Sequence, residues 1–386
     1  MNNPQLTLPL SGRVDSANAA AVEAELMQAL GAKPHSSLTL DCETLDYISS
    51  AGLRVVLRLR KQEPELRLTN VSPEVYEILS MTGFTEMMPV ERAYRRLSID
   101  GCEEIGRGAN GTVYRIDKDT VVKVYRNPDC LPEVQREREL ARRAFVLGIP
   151  TAIPYDVVRV GESYGSVFEL LNSKSFSKLI GAEPEKMDEY VALYVDIMRK
   201  LHSTEIQPGL MPEMKEIALG WEDYIRAGLP ETQAERLLAL ISAVPDRNTL
   251  LHGDYHTNNI VVQNDEVLLI DMDTLCVGHP VFELAFMWLA FVGFGELDPA
   301  VCSNFFKLPA ELLERFWGKT LRLYLGSEDE SYVRAVEDKA KLIGYTRLMR
   351  RTLKRKGMET DFGRATIERC QARIAELLEC VDSLDF

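Results

Sequence analysis

The chain has 386 residues, 46% hydrophobic and 27% charged, with a formal net charge of −14. Length and composition fit a soluble globular protein with room for two or more cores. The acidity argues against a general binder of nucleic acid or anionic membrane and gives a weak leaning toward cationic ligands.

Seven scattered cysteines with no C-x-x-C pair read as buried free thiols of a reducing compartment. The opening "MNNPQLTLPLSG" has no basic segment followed by an apolar core, so no signal peptide is expected. The longest apolar run, "LAFMWLAFVGF" at 284–294, is too short to span a bilayer and reads as a buried helix. A cytoplasmic location without membrane contact is the expectation.

In chain order, "LTLPL", "SLTLDC" and "ELRLTN" alternate apolar and polar residues as strands do. Between them Val22, Leu26, Ala29 and Leu30 mark a first helix with Asp15 or Ser16 as its cap. Leu53, Val56, Leu57 and Arg60 mark a second, beginning near Ser50, which is expected to cap it. Ser72 and Pro73 open a third. Residues 1–92 therefore read as a small α/β domain. The charged stretch "ERAYRRLSIDG" leads to a second domain over 98–386. Its signals are strands with one helix over 98–171, then mostly helices over 172–386, interrupted at 250–275.

"GRGANG" sets Gly106, Gly108 and Gly111 in G-x-G-x-x-G spacing, a weak signal alone. Next in the chain come "TVYRI", "DKDT" and "VVKVY": strand, turn, strand. A dinucleotide fold would continue with a helix; a hairpin makes the loop a flap over phosphates. Lys123, inside the second strand, becomes the expected contact to the α- and β-phosphates. Val121 shares its face and is expected to line the adenine pocket. One glutamate of "EVQRERELARRAF" has to hold Lys123 by an ion pair, and Glu137 is preferred to Glu139. In "VFELLNS" the Glu169 carbonyl and Leu171 amide are expected to meet the adenine, the alternative being an ordinary strand end.

"HGDYHTNN" at 252–259 raises two readings, a metal cage or a catalytic loop. An aspartate, an asparagine five residues on and a strand delivering a further aspartate in "VLLIDMDT" favour the second. Asp254 is expected to accept or orient a hydroxyl proton, and Asn259 and Asp271 to offer oxygens to Mg²⁺. His252 and His256 then become structural. Zinc would leave the flap and Lys123 unexplained. Asp273, placed on the same strand face as Asp271, is a second metal ligand or a solvated residue.

Residues 102–300 resemble the aminoglycoside phosphotransferase and choline kinase-like branch of the protein-kinase fold. The resemblance rests on Gly106, Gly108, Gly111, Lys123, Glu137, "LLHGDYHTNN", "LLIDMDT" and "GHPVFELAF", in that order. It implies a two-lobed α+β protein-kinase-like domain that uses ATP and Mg²⁺. The branch usually carries Asp where His279 and Glu283 stand, which implies altered support of the loop near the acceptor. Residues 5–90 resemble a STAS domain of the anti-sigma-factor-antagonist type, through "LSGRVDSANA", "LDCETLDYISSAGLRVVLRL" and "NVSPEVYEILSMTGF". In that family the serine at Ser50 can be phosphorylated; Ser49 replaces the aspartate that precedes it.

Three functions are compatible with these expectations. The first is an ATP-dependent kinase of a small-molecule hydroxyl or amine, with the STAS domain as a regulatory module that docks a protein partner. The second is a protein kinase acting on a STAS serine, and the third a silent scaffold. The missing "APE" and the "HGD" favour the first. The basic run "RLMRRTLKRKG" at 347–357 suits an anionic partner, or a solvated helix face.

Overall fold

The computed structural model describes residues 5–32, 35–108, 110–264 and 266–386. Its backbone groups into two units, Met1–Gly101 with Val157–Gly165, and Cys102–Asp156 with Ser166–Phe386.

The first unit runs β1 (Gln5–Pro9), β2 (Gly12–Val14), α1 (Ala19–Gly31), β3 (Ser37–Asp41), β4 (Leu45–Ile48) and α2 (Ser50–Gln62). It continues with β5 (Arg67–Val71), α3 (Pro73–Met81), α4 (Phe84–Met87) and β6 (Val90–Arg92). The main sheet is β1-β3-β5-β6 with parallel pairs throughout, and β2 lies parallel to β4. Lying inside the sheet, β3 buries Leu38, Thr39 and Leu40 in succession, where the sequence suggested alternation. Both of its faces are covered, as parallel sheets require.

Helix starts follow local hydrogen bonding more closely than periodicity. Neither Asp15 nor Ser16 caps α1: the residue before its first turn is Asn18, and the Asp15 carboxylate accepts instead from the Ala17 N–H at 2.9 Å. The cap of α2 is Ser49 rather than Ser50. Its hydroxyl accepts from the N–H groups of Ala51 and Gly52 at 3.2 and 3.5 Å, satisfying donors that a helix start leaves open. At α3 the expectation holds, with Ser72 accepting from Val75 N–H at 3.4 Å and Pro73 first in the helix.

The chain continues with β7 (Glu103–Arg107), β8 (Gly111–Arg115), β9 (Thr120–Tyr125), α5 (Leu131–Val146), β10 (Pro154–Val160) and β11 (Ser163–Glu169), of which the Val157–Gly165 portion groups with the first unit and the rest with the second. The five strands form a sheet in the order β10-β11-β9-β8-β7. Then come β12 (Lys174–Ser175), α6 (Phe176–Ala182), α7 (Met187–Ser203), α8 (Met214–Leu219), α9 (Glu222–Gly228) and α10 (Glu231–Ser242). Short strands β13 (Leu250–Leu251), β14 (Ile260–Gln263), β15 (Glu266–Leu269) and β16 (Cys276–Val277) carry the 250–277 segment. The chain ends in α11 (Pro280–Phe291), α12 (Ala300–Phe306), α13 (Ala310–Leu325), α14 (Glu330–Lys354) and α15 (Asp361–Cys380).

Eleven of the twelve α11 residues are buried, as an all-round apolar helix demands. Trp288 packs edge-on to Tyr345 of α14 with ring centroids 4.7 Å apart. Gly344 makes the room: a Cβ there would stand 2.6 Å from the indole. Among the described residues no single helix is long and apolar enough to cross a membrane.

Candidate active site

The loop between β7 and β8 is closed by the Gly108 N–H donating to the Gly111 carbonyl at 2.9 Å, residue 109 lying outside the described residues. Arg126 clamps it, donating from Nη2 to the Gly108 carbonyl at 2.9 Å. Gly111 has no alternative, because a Cβ would stand 2.3 Å from the Val124 carbonyl oxygen across the β8–β9 pair. Around Gly106 and Gly108 the nearest atoms are 3.9 and 4.0 Å from such a Cβ, so internal packing does not explain those two glycines.

Lys123 projects from β9 and donates to Glu137 Oε1 at 2.9 Å and to Asp271 Oδ1 at 2.7 Å. Burial alone would push the lysine down; the Asp271 and Glu137 carboxylates outweigh it and hold Lys123 above its usual range. Glu137 sits on the buried face of α5, while Glu139 turns away to pair with Arg142 and Arg143 at 3.0 and 2.8 Å. Val121, on the lysine's side of β9, is buried. Glu169 ends β11 and is joined to Ile153, its N–H donating to the Ile153 carbonyl at 3.0 Å. Beyond it Leu170, Leu171 and Asn172, with Ile105 and Arg115, line an open cavity of about 510 Å³; Val121 and Glu169 are not in its lining.

The 252–259 loop joins β13 to β14. Gly253 has φ +79, and a Cβ there would stand 2.4 Å from the Thr274 carbonyl, so glycine is required twice over. The two histidines diverge instead of converging on a shared ion. His252 Nε2 meets the Ile270 carbonyl at 3.1 Å, whereas His256 Nε2 lies 3.5 Å from Asp254 and its ring abuts Phe305 and Phe306. His252 is thus the one that bonds backbone. For Asp254, burial acts to raise its pKa, yet His256, Arg347 and His252 prevail and hold it well below the ordinary carboxylate range. It is an ionised acceptor.

Glu283 of α11 is fully buried, and its two oxygens accept from the backbone N–H groups of His252 and Gly253 at 2.6 and 3.0 Å. The support that the departures in "GHPVFELAF" placed in question is supplied by this carboxylate. His279 caps α11, its Nδ1 accepting from Val281 N–H at 3.1 Å and its Nε2 meeting Asp385 Oδ1 at 3.0 Å. The hydroxyl of Thr274 donates to the His252 carbonyl at 2.9 Å, a contact without a sequence signal.

β15 ends at Leu269, and Asp271 has left-handed backbone, φ 64° and ψ 62°. The strand face expected to carry Asp271 and Asp273 together does not exist, because Asp273 lies in the 3₁₀ turn Met272–Thr274. A strained φ outside glycine costs of order 1–3 kcal/mol and is typical of functional positions. Asn259 donates Nδ2 to the Asp254 carbonyl at 3.0 Å, which commits its nitrogen and leaves Oδ1 to act as a ligand. Asp273 is pushed up to about 7, by burial first and then by the Asp271 charge. Among the described residues no three acidic, histidine or cysteine side chains form a metal cage, so Mg²⁺ would draw here on the oxygens of Asn259 and Asp271 together with those of its substrate, a hard-oxygen set suited to that ion.

The profile of the phosphotransferase enzyme family matches residues 101–316. The chain belongs to the phosphotransferase enzyme family. Its first domain is a STAS domain, matched over residues 2–96. That part is 46% identical over 85 residues to BtrV of Bordetella bronchiseptica, described as a putative anti-sigma factor antagonist, covering 21% of this chain and 72% of that protein. It is 26% identical over 89 residues to the anti-sigma F factor antagonist of Paenibacillus polymyxa, covering 22% of this chain and 76% of the relative. Among solved structures, a choline/ethanolamine kinase family protein of Mesorhizobium loti aligns at 16% identity over 72% of this chain and 88% of its own, with a TM-score of 0.48. The streptomycin–ATP complex of APH(2″)-IIa aligns at 17% identity over 79% and 98%, with a TM-score of 0.47. The phosphotransferase has the two-lobed α+β kinase-like fold behind an α/β STAS domain.

In the STAS domain Ser50 is exposed at the first position of α2, beside the capping Ser49. Gly52 is forced by packing, since a Cβ would stand 2.7 Å from Ile48 and 2.9 Å from Val14. Its smallness draws the helix start down onto β2 and β4.

Proposed function

We propose that this chain is an ATP- and Mg²⁺-dependent phosphotransferase that moves the γ-phosphate to the hydroxyl of a small molecule, with the STAS domain as a regulatory module that docks a protein partner. The observation that carries the reading is Lys123 held between Glu137 and Asp271, at 2.9 and 2.7 Å, in the same unit as an ionised Asp254. Lys123 meets the α- and β-phosphates of ATP under the 106–111 flap, where Gly106 and Gly108 allow backbone N–H groups to approach. Val121 and Leu171 bound the adenine end. Asn259 and Asp271 would hold Mg²⁺, which neutralises phosphate charge; Asp273 stands beside them.

Asp254 orients the acceptor hydroxyl. As its oxygen bonds to the γ-phosphorus, the bond from that phosphorus to the β–γ bridging oxygen breaks, ADP leaves, and the hydroxyl proton passes to Asp254. A carboxylate held below its usual range is a weak base, so the proton moves late and positioning dominates. Glu283 fixes the loop backbone that aims Asp254.

The test is turnover against a panel of hydroxyl and amino compounds. Asp254→Ala is expected to lower kcat by about 10²–10⁴ with ATP affinity nearly unchanged, whereas Asp271→Ala weakens Mg·ATP binding itself. Wild-type turnover in Asp254→Ala would overturn the assignment.

A further inference from the structure

α14 closes with Arg347, Arg350, Arg351 and Lys354, followed by Arg355 and Lys356. Basic residues in a last helical turn complement the helix dipole and normally face water. That accounts for the exposed Lys354, Arg355 and Lys356. It does not account for Arg347, two turns earlier and half-buried. Its Nη1 donates to the Gly253 carbonyl at 3.3 Å, and its guanidinium carbon lies 3.6 Å from the Phe286 ring centroid. One turn on, half-buried Arg351 lies 4.8 Å over the Phe294 ring.

Gly253 immediately precedes Asp254, so Arg347 reaches the backbone beside the proposed proton acceptor, and Arg351 follows one helical turn along the same face of α14. Burial is the main influence on both arginines and pulls them below their usual range; the Asp254 charge opposes it in each. Among the described residues neither has a carboxylate partner within ion-pair distance. Glu296 is already engaged, accepting from the Tyr345 hydroxyl and from Arg369, each at 2.7 Å. Two guanidiniums set over rings and half withdrawn from water feel the Asp254 charge but have no carboxylate bonded to them, which leaves N–H donors free to take a further anion.

We propose that Arg347 and Arg351 are the recognition site for the phosphate acceptor, and that the acceptor is a small hydroxyl compound bearing a carboxylate or phosphate. This rests on the phosphotransfer reading above and adds to it the charge class of the substrate, opposite to the leaning of the chain's net charge. The guanidiniums over Phe286 and Phe294 carry N–H donors in the fork geometry that suits a planar or tetrahedral oxyanion. They also offset the repulsion between such an anion and Asp254.

The experiment is calorimetric titration of the full chain loaded with Mg·ADP, using D-glycerate, 3-phosphoglycerate and ethanolamine as probes. At least one of the anions is expected to bind and ethanolamine is not. Arg351→Gln is expected to raise the Kd for the anion tenfold or more, and Arg351→Lys to retain part of the affinity, with Mg·ADP affinity unchanged in both. The proposal is overturned if neither anion binds, if Arg351→Gln leaves anion binding intact, or if ethanolamine binds better than both. Failure of the underlying phosphotransfer reading shows itself separately, as Mg·ATP affinity indifferent to Asp271→Ala.

Discussion

Glu283→Gln isolates the device that holds the 252–259 loop. In the native protein both carboxylate oxygens accept from backbone donors, His252 N–H at 2.6 Å and Gly253 N–H at 3.0 Å, in a fully buried position. A glutamine keeps one acceptor and turns an NH₂ toward the other N–H. The loss of one hydrogen bond to a charged acceptor, about 1.5–3 kcal/mol, adds to a buried donor left unsatisfied, about 1–3 kcal/mol. Together these amount to about 2.5–6 kcal/mol, a large part of the ~5–15 kcal/mol that a folded domain has. Shifting Asp254 by about 1 Å would also lower kcat by about 10². All three tryptophans, Trp221, Trp288 and Trp317, belong to the second unit, so urea unfolding followed by tryptophan emission reads that unit and not the STAS domain. A Glu283→Gln protein that unfolds within about 0.5 kcal/mol of wild type, with kcat unchanged, would refute the reasoning.

Other predictions test neighbouring features. His279 is buried and pushed down to about 4, by burial first and by Arg247, against the pull of Asp385. The unfolded chain binds that proton near 6.5, so its contribution is complete above about pH 6.5 and is lost as the pH falls toward 4, by up to about 3 kcal/mol. Acid titration of tryptophan emission should show this slope, and His279→Asn, which keeps a capping acceptor, should flatten it. Gly253→Ala forces φ +79 and a 2.4 Å approach to the Thr274 carbonyl on an L-residue; a loss of at least about 2 kcal/mol is expected in the same urea assay. Lys123→Met should weaken ATP binding in calorimetry by tenfold or more. Ser50 is fixed at the start of α2 and should not gain stoichiometric phosphate from Mg·ATP alone, read by intact mass on wild type and Asp254→Ala.

What was legible in the sequence was local. The flap–hairpin order, Lys123 on the second strand and Glu137 on the following helix depend on spacing within about forty residues, and the structure brings lysine and glutamate together as read. Cap identity failed at Asp15 and Ser50 because several side chains near each start can accept, and backbone geometry chooses between neighbours. The strand carrying Asp271 failed because "VLLIDMDT" is apolar enough to look extended, while the left-handed φ at Asp271 leaves no trace in hydrophobic pattern. Glu283 and Arg347 were legible only as a departure and a charge run. Their partners lie 30 and 94 residues away at Gly253, and no periodicity encodes such pairs.

The way α11 is held has a consequence for how the protein is made. His252 and Gly253 are fixed by a glutamate some thirty residues downstream, on a helix that is apolar on every side. That helix has no stable place until α14 arrives with Gly344 and Tyr345 against Trp288 and with Arg347 on the Gly253 carbonyl. A ribosome adds roughly 5–20 residues per second, so the residues of the flap, Lys123 and Asp254 leave the tunnel seconds before their supports exist. During that interval the nascent chain has the loop residues without the contacts that hold them in place. The loop that carries Asp254 is therefore fixed only after about residue 350 has emerged, late in the synthesis of the chain.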